Sequence, residues 1–520
     1  MCHRGTSNIF LLLLAVSMVT ACGGGGQGGS SATTNTTSTG TSTPPPASQP
    51  PAPVASLVSF GTISRFGSVY SNGIRFDTAA ATVTVNGEPA TLDQLRTGEI
   101  ARIVAGPESG GVATGRSVAV EHAVVGPVQF APGTTDPTLV LDQKVLFDGM
   151  TTFDGFAGPN PGVASLAAGE TVTVSGLRFT EGPEPYHTYL YATRVARGGT
   201  GSGYLVRGPV ANHDAVARTF EISLLHVNYA SASPQPGALA NDDCVLARGA
   251  TLTGGNAATV GTLVATTVTR VPCLAELVEG DRVLIEGRSS PRNTASETIM
   301  LLGTQRVSAD ASGTRTAFEF RPPTDLSYSG IHVRADGTAT AATSSGIFAN
   351  RVQILGQREF QVRVRGLANS SGTDLTVLGV PIVTLASTRY EDATTAALRT
   401  IGPSELRTGD VLDVRGYQIG DTNSVRAMVV TKLPAGGSFE LRGYAAQPAR
   451  PSFSILGVPV TTDAGTEWRF EAGSLTNSDW LFQNTTWDPA NAPRLRVICN
   501  APCTSFRPDR IVYVTRTSGW

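Results

Sequence analysis

One short phrase recurs along this chain: leucine, two residues, glycine, an acid, an alternating apolar stretch, and a closing glycine. It reads LRTGEIARIVAG from Leu95, LAAGETVTVSG from Leu166, LVEGDRVLIEG from Leu277 and LRTGDVLDVRG from Leu406. Looser copies are LANDDCVLARG from Leu239 and LSYSGIHVRADG from Leu326. A second phrase closes each unit, as in YLYATRVARG at Tyr189, LVATTVTRV at Leu263, IFANRVQIL at Ile347, SVRAMVVTKL at Ser424 and RIVYVTR at Arg510. A third opens them: the stretch from Phe360 to Asp392 aligns with that from Phe439 to Glu471 through a shared LGVP. Recurrence at a near-constant interval means one supersecondary unit built again and again.

The period inside the phrases is two, which is that of a strand with one buried face. Asn72-Gly73 and Asn86-Gly87 sit between alternating runs, and both positions of such a pair accept positive φ, the requirement of a tight hairpin. The body is therefore expected to be all-β. Six units are expected, at 57–122, 124–198, 204–271, 278–355, 359–433 and 438–516, with LVEGDRVLIEG able either to close the third or to open the fourth. Each has five or six short strands, which hide their edges best by bending into a small closed or nearly closed barrel. Modules of this size bury only about 60% of their unfolded surface, so packing against neighbours is expected to stabilise them.

Ahead of the repeats lie two segments of different composition. The first 21 residues carry Arg4, an apolar run from Ile9 to Val16 and the small residues Val19-Thr20-Ala21 before Cys22. That is the layout of a secretory signal, and the run is too short to span a bilayer. Val19-Thr20-Ala21-Cys22 also resembles the lipobox of bacterial lipoproteins. The resemblance implies cleavage before Cys22, a thioether-linked diacylglycerol on its sulfur and an acyl chain on its amine. Gly23, in place of the aspartate that marks inner-membrane retention, implies the outer membrane of a two-membrane cell, facing the periplasm or the cell surface. Residues 23–56 hold Gly, Ser, Thr, Pro, Gln, Asn and Ala with no charged residue, so the linker at 22–56 is expected to be disordered. Taken together, lipobox, linker and tandem β units resemble the bacterial envelope lipoproteins built from repeats of a β-rich domain of unknown function. That family brings a fold and a location, and no catalytic residues.

Chemistry is sparse. Net charge is −2 and aromatic residues make up 7%, which argues against nucleic acid as a partner. No nucleophile elbow, zinc-binding helix or phosphate loop is present. After loss of His3, the histidines His122, His187, His213, His226 and His332 show no ligand-like spacing. Glu99, Glu170, Asp281 and Asp410 recur at one point of the repeat, where a turn hydrogen bond explains them better than catalysis. The calcium-loop pattern is missing; Asp142, Asp148 and Asp154 are acid-spaced enough to notice, but the interleaved Val145, Leu146 and Phe147 read better as a strand. Cys244 with Cys273 and Cys499 with Cys503 are the sequence-local disulfides expected in an oxidising compartment, one of three pairings that four cysteines allow. Candidate binding aromatics are Tyr189 and Tyr191, read as lying on opposite sides of a strand unless a bulge intervenes, and the group Trp468, Trp480 and Trp487, for which a core role competes. The expectation is a non-enzymatic, cofactor-free and metal-free protein with a structural, adhesive or ligand-presenting role. Its partners would be the membrane, through lipid on Cys22, and an envelope glycan, peptidoglycan or protein. The competing reading is an enzyme with its site between modules.

Overall fold

An alternating strand has one apolar face, and a sheet of five such strands hides that face most simply by closing on itself. The computed structural model shows this closure six times. It describes residues 56–514 apart from 130–137, 157–160, 182–187, 200–202, 256–258, 274–276, 292–297, 304, 311, 341–345, 358–359, 372–373, 396–397, 471–472, 474–475, 477, 479–481, 483–492 and 501–505. The signal, Cys22 and the linker thus lie outside the described residues, as do His187, Trp480, Trp487 and Cys503. All the described residues fall in one compact unit.

The fifth barrel shows the circuit most plainly. Its first strand, Gln361–Ser371, pairs with Asp374–Val377, which turns back into Val380–Asp392. The third strand runs parallel to the fifth, Val425–Leu433, which pairs with the fourth, Val411–Gln418. The fourth returns to the first. The order 1-2-3-5-4-1 holds for the barrels beginning at Leu57, Val124 and Arg282 as well. It also holds for those beginning at Tyr204 and Phe439, where three strands and one strand, respectively, are broken in the middle. This is the five-stranded Greek-key barrel of oligonucleotide- and oligosaccharide-binding domains. LVEGDRVLIEG opens the fourth barrel, because Arg282–Pro291 is its first strand.

The recurrent phrase now has a physical reading. Its leucine plugs the barrel floor: Leu95, Leu166, Leu239, Leu326 and Leu406 are all buried. The glycine before the acid holds positive φ, 84° at Gly98 and 89° at Gly409; in the third barrel Asp242 does so with φ 72°. The acid then accepts the N–H three residues back, Glu99 from Arg96 at 2.7 Å, Asp281 from Val278 at 3.0 Å and Asp410 from Arg407 at 2.8 Å. The closing glycine lies against a bulge in the fifth strand. A Cβ there would stand 2.3 Å from the Tyr191 carbonyl oxygen at Gly176, 2.2 Å from that of Phe348 at Gly337 and 2.0 Å from that of Arg426 at Gly416.

The barrels associate in pairs through their first strands. Val124–Pro127 pairs antiparallel with Tyr204–Pro209, and Gln361–Ser371 with Phe439–Ala449. Leu57–Arg65 pairs in parallel with Arg282–Pro291, joining the first barrel to the fourth across the whole of the second and third. Each pairing covers the half of a first strand that its own barrel leaves as an edge. The cores follow suit: one cluster spans barrels two and three, another five and six, and Leu284 of the fourth barrel enters the core of the first.

Candidate functional site

Odd-numbered residues of Gln361–Ser371 point out of the fifth barrel when Val362 and Val364 point in, because side chains alternate. The outer face of its sheet therefore carries Arg363 and Arg365, beside Asp413 and Arg415 of the fourth strand. Register places Arg415, Arg363, Arg442 and Arg496 directly opposite one another across four successive strands. The adjacent row is Asp413, Arg365 and Glu440. Arg363 forks onto Asp413 with Nε–Oδ1 2.7 Å and Nη2–Oδ2 2.9 Å. Glu440 accepts from Arg496 at 3.0 Å and faces Arg363 at 3.5 Å. Burial opposes both carboxylate charges, yet the guanidiniums hold Glu440 at about 2 and Asp413 still further below the usual carboxylate range.

At one end this face opens into a cleft of about 580 Å³ whose far wall comes from the second barrel. Arg363, Arg365, Arg415 and Glu391 line one side; Phe153, Asp154 and Phe156 line the other. Arg194 pairs with Asp154, and Thr152 donates to Glu391 at 2.8 Å.

Beyond Glu391 the polar contacts run inward to a closed hub. Asp148 of the second barrel meets Arg288 of the fourth at 2.5 Å, both buried, and accepts from Gln361 at 2.9 Å. The Arg288 guanidinium lies 4.3 Å from the centre of the Tyr191 ring. Glu286 accepts from His332 Nε2 at 2.7 Å, from the Thr62 N–H at 2.9 Å and from Arg334 at 3.3 Å. Arg389 donates to the Thr193 carbonyl at 3.1 Å and to that of Met150. Burial first, then Arg288, drives the His332 pKa down to about 4, so its ring is neutral at pH 7. The cavity enclosed here is about 30 Å³, room for one or two waters. Four barrels contribute to the hub, and it fastens them.

A second cleft, of about 550 Å³, lies against the first three barrels and is lined by Asn86, Glu99, His122 and Arg248. His122 Nδ1 accepts from Asn86 at 3.0 Å, and Nε2 donates to Glu99 at 3.3 Å. Asn86 in turn accepts the His122 N–H at 2.8 Å. Both ring nitrogens are engaged in clamping the hairpin at Asn86-Gly87.

The residues singled out from sequence fare unevenly. Cys244 and Cys273 are bonded to each other. Cys499 is buried and disulfide-bonded. Tyr189 and Tyr191 lie on the same side of their strand, as a spacing of two demands, and both rings pack on Phe179 at 5.3 Å. The expected placement on opposite sides is corrected by the two-residue alternation, which returns the second ring to the same face. Tyr191 is 8% exposed beneath Arg288, so it forms no surface platform. Trp468 is 7% exposed in the core of the sixth barrel against Phe482 and Tyr513. Its apolar ring completes the core rather than a binding face. Among the described residues no three His, Cys, Asp or Glu side chains converge as metal ligands. The arginine face escaped the sequence reading because it depends on register between strands far apart in the chain. The only local hint was the spacing of Asp148 and Asp154, which end in the hub and the cleft.

A family model described as a domain of unknown function (DUF5666) matches residues 125–183 and 363–431. The matches begin in the first strands of barrels two and five, consistent with repeats of that domain. No curated protein matches the chain.

Proposed function

We propose that this chain is a lipid-anchored envelope protein whose six-barrel body binds a ligand without transforming it. The support for the location is the opening sequence: a short apolar signal ending in Val19-Thr20-Ala21-Cys22, followed by an uncharged linker. The observation that carries binding over catalysis is how the convergent ionisable groups are used. In the hub they neutralise one another around a space of about 30 Å³, too small for a substrate. The open cleft beside it presents guanidiniums, which recognise anions but neither take nor give protons near neutral pH, and its carboxylates Asp154, Glu391 and Asp413 are each held in an ion pair with an arginine.

Catalysis has one observation in its favour, the His122–Glu99 pair on the wall of the second cleft. Against it, both nitrogens of His122 are committed, and neither faces a hydroxyl or thiol among the described residues.

The test is fractionation of cells expressing the full chain and its Cys22→Ser variant, followed by incubation of each protein with purified sacculi and envelope glycans. The full chain should sediment with membranes and the variant should not, while both bind the same glycan. A variant that stays with membranes defeats the anchor, and turnover of any bound glycan defeats the non-enzymatic reading.

A further inference from the structure

The sheet face behind the cleft carries more guanidiniums than carboxylates: Arg363, Arg365, Arg415, Arg442 and Arg496 stand beside Asp413, Glu440 and Glu391, while the cleft itself is lined by three arginines and by Asp154, Glu391 and Asp413. One carboxylate, Asp413, serves three guanidiniums: Arg363 as a fork, Arg365 at 3.5 Å and Arg415 at 3.7 Å. Arg365 is 3% exposed; among the described residues its one ion pair is the long contact to Asp413, Glu440 stands opposite it on the neighbouring strand, and its Nε has no hydrogen-bond partner. Burial pulls its pKa down, against Asp413. Leaving a buried guanidinium half-paired is costly, and the deficit faces a cleft of about 580 Å³ that a ligand can enter. Directly beside it, Arg415 and Arg363 stand opposite each other on paired strands, a like-charge juxtaposition offset by Asp413 between them and by Glu391 at 3.6 Å from Arg415, to which a bound anion would add.

We infer that this cleft binds an acidic saccharide, a sugar ring bearing a carboxylate, with the carboxylate on Arg365 and Arg415 and the ring against Phe153. The planar, two-oxygen carboxylate matches the guanidinium fork. The opposite wall includes Phe153, half-buried at the margin of the second barrel's core, an apolar contact that a small inorganic anion would leave unused. The volume accommodates a short oligosaccharide and lies within the usual range for small-ligand sites, about 300–1,000 Å³. A single-stranded nucleic acid fits less well, since it needs a continuous basic groove, and Asp413, Glu391 and Asp154 interrupt this one. The inference deepens the binding role proposed above. It rests on that role for where the ligand is met and on the cleft alone for what the ligand is.

Calorimetric titration of the purified full chain tests it, with trigalacturonate as the acidic probe, cellotriose as its neutral counterpart and a single-stranded oligothymidylate as a polyanion. Trigalacturonate should bind with an affinity that falls as salt rises, and cellotriose and oligothymidylate should not compete. Arg365→Met keeps the volume and removes the charge. It should weaken binding on the order of tenfold or more while leaving Tm unchanged or higher, because a half-paired buried charge is lost with the site. A structural arginine would instead lower Tm. Should Arg365→Met fail to fold, Arg415→Lys decides, since it keeps the charge and loses the fork and should weaken binding by about fivefold or more. Equal binding of cellotriose, preference for oligothymidylate, or unaltered affinity in the folded variants overturns the inference. Failure of Cys22→Ser to release the protein would sink the anchor and leave this site standing. Capture on sacculi without affinity for the acidic sugar would do the reverse.

Discussion

At the closing glycine of the repeat, one methyl group separates a tolerated change from a disruptive one. Gly416 would place a Cβ 2.0 Å from the Arg426 carbonyl oxygen, and neither backbone can yield without opening the bulge that bends the barrel shut. In the first barrel Ala105 takes the place beside the bulge, opposite Gly115, and the closing Gly106 lies one residue further on, where the nearest atom, the Thr114 carbonyl oxygen, is 3.9 Å away. Gly416→Ala should therefore cost about 3 kcal/mol or more, and Gly106→Ala should stay within about 1 kcal/mol, as read from urea unfolding midpoints. The pattern of glycines was plain in the sequence, but its cause was not, because the colliding carbonyl belongs to another strand. His332 yields a pH prediction. Its folded pKa is about 4, below its ordinary 6.5, so the unfolded chain takes up the proton first. Stability should fall as pH drops from about 6.5 to about 4, by on the order of 3 kcal/mol from this residue, and change little from it below that window. The buried carboxylates add a loss of the same sign at lower pH, since Glu440, held at about 2, gives up its contribution between about 4.5 and 2. In His332→Gln the slope of unfolding midpoint against pH between 6.5 and 4 should flatten; an unchanged slope assigns the proton uptake elsewhere.

At the scale of strands, the elements are those that the two-residue period announced, and the surprises lie in how they meet. Asn72-Gly73 and Asn86-Gly87 form the expected turns, with φ of 51° and 83° in the first and 53° and 83° in the second. Local chemistry suffices for such turns, so the sequence discloses them. The row Arg415, Arg363, Arg442, Arg496 is set by pairing between strands far apart in sequence, Arg363 with Arg415 and with Arg442, and Arg442 with Arg496, and no local pattern carries that information. The third barrel pays for its broken strands with a covalent tie. Its first, fourth and fifth strands are each interrupted, and Cys244, at the start of the fourth, is bonded to Cys273 just past the fifth. The bond closes a loop with a sequence separation of 29, which on chain-entropy grounds is worth about 3 kcal/mol. Replacing both cysteines by alanine should lower stability by about that amount, with new proteolytic cuts confined to residues 204–271. Cuts spread through the second barrel as well would mean that the pair unfolds as one.

For the whole molecule, the pairing of first strands decides which parts can stand alone. Barrels five and six are consecutive, share one apolar core and cover each other's first-strand edge. Barrels one and four also cover each other's first-strand edge, with two complete barrels inserted between them, but each keeps its own core. The first barrel's edge at Leu57–Phe60 is covered only by Arg282–Ile285, and Leu284 completes its core. Even its entry point is held by the fourth barrel: the Ser56 N–H donates to Asp281 at 2.9 Å, and the Ser56 carbonyl accepts from Arg282 at 3.0 Å. During synthesis the first barrel must therefore wait, edge exposed, until the fourth emerges. A fragment spanning 359–516 should melt cooperatively on its own. A fragment spanning 57–122 should not, since a module of its size buries little surface and presents an open strand. Adding the fragment 278–355 should restore a cooperative melt to 57–122, and adding 204–271 should not. Circular dichroism melts of each fragment alone and mixed would check this. Autonomous folding of 57–122 would show that the parallel pairing of Leu57–Arg65 with Arg282–Pro291 orients the barrels without stabilising them, leaving the ionic hub around Asp148 and Glu286 as the fastening between them.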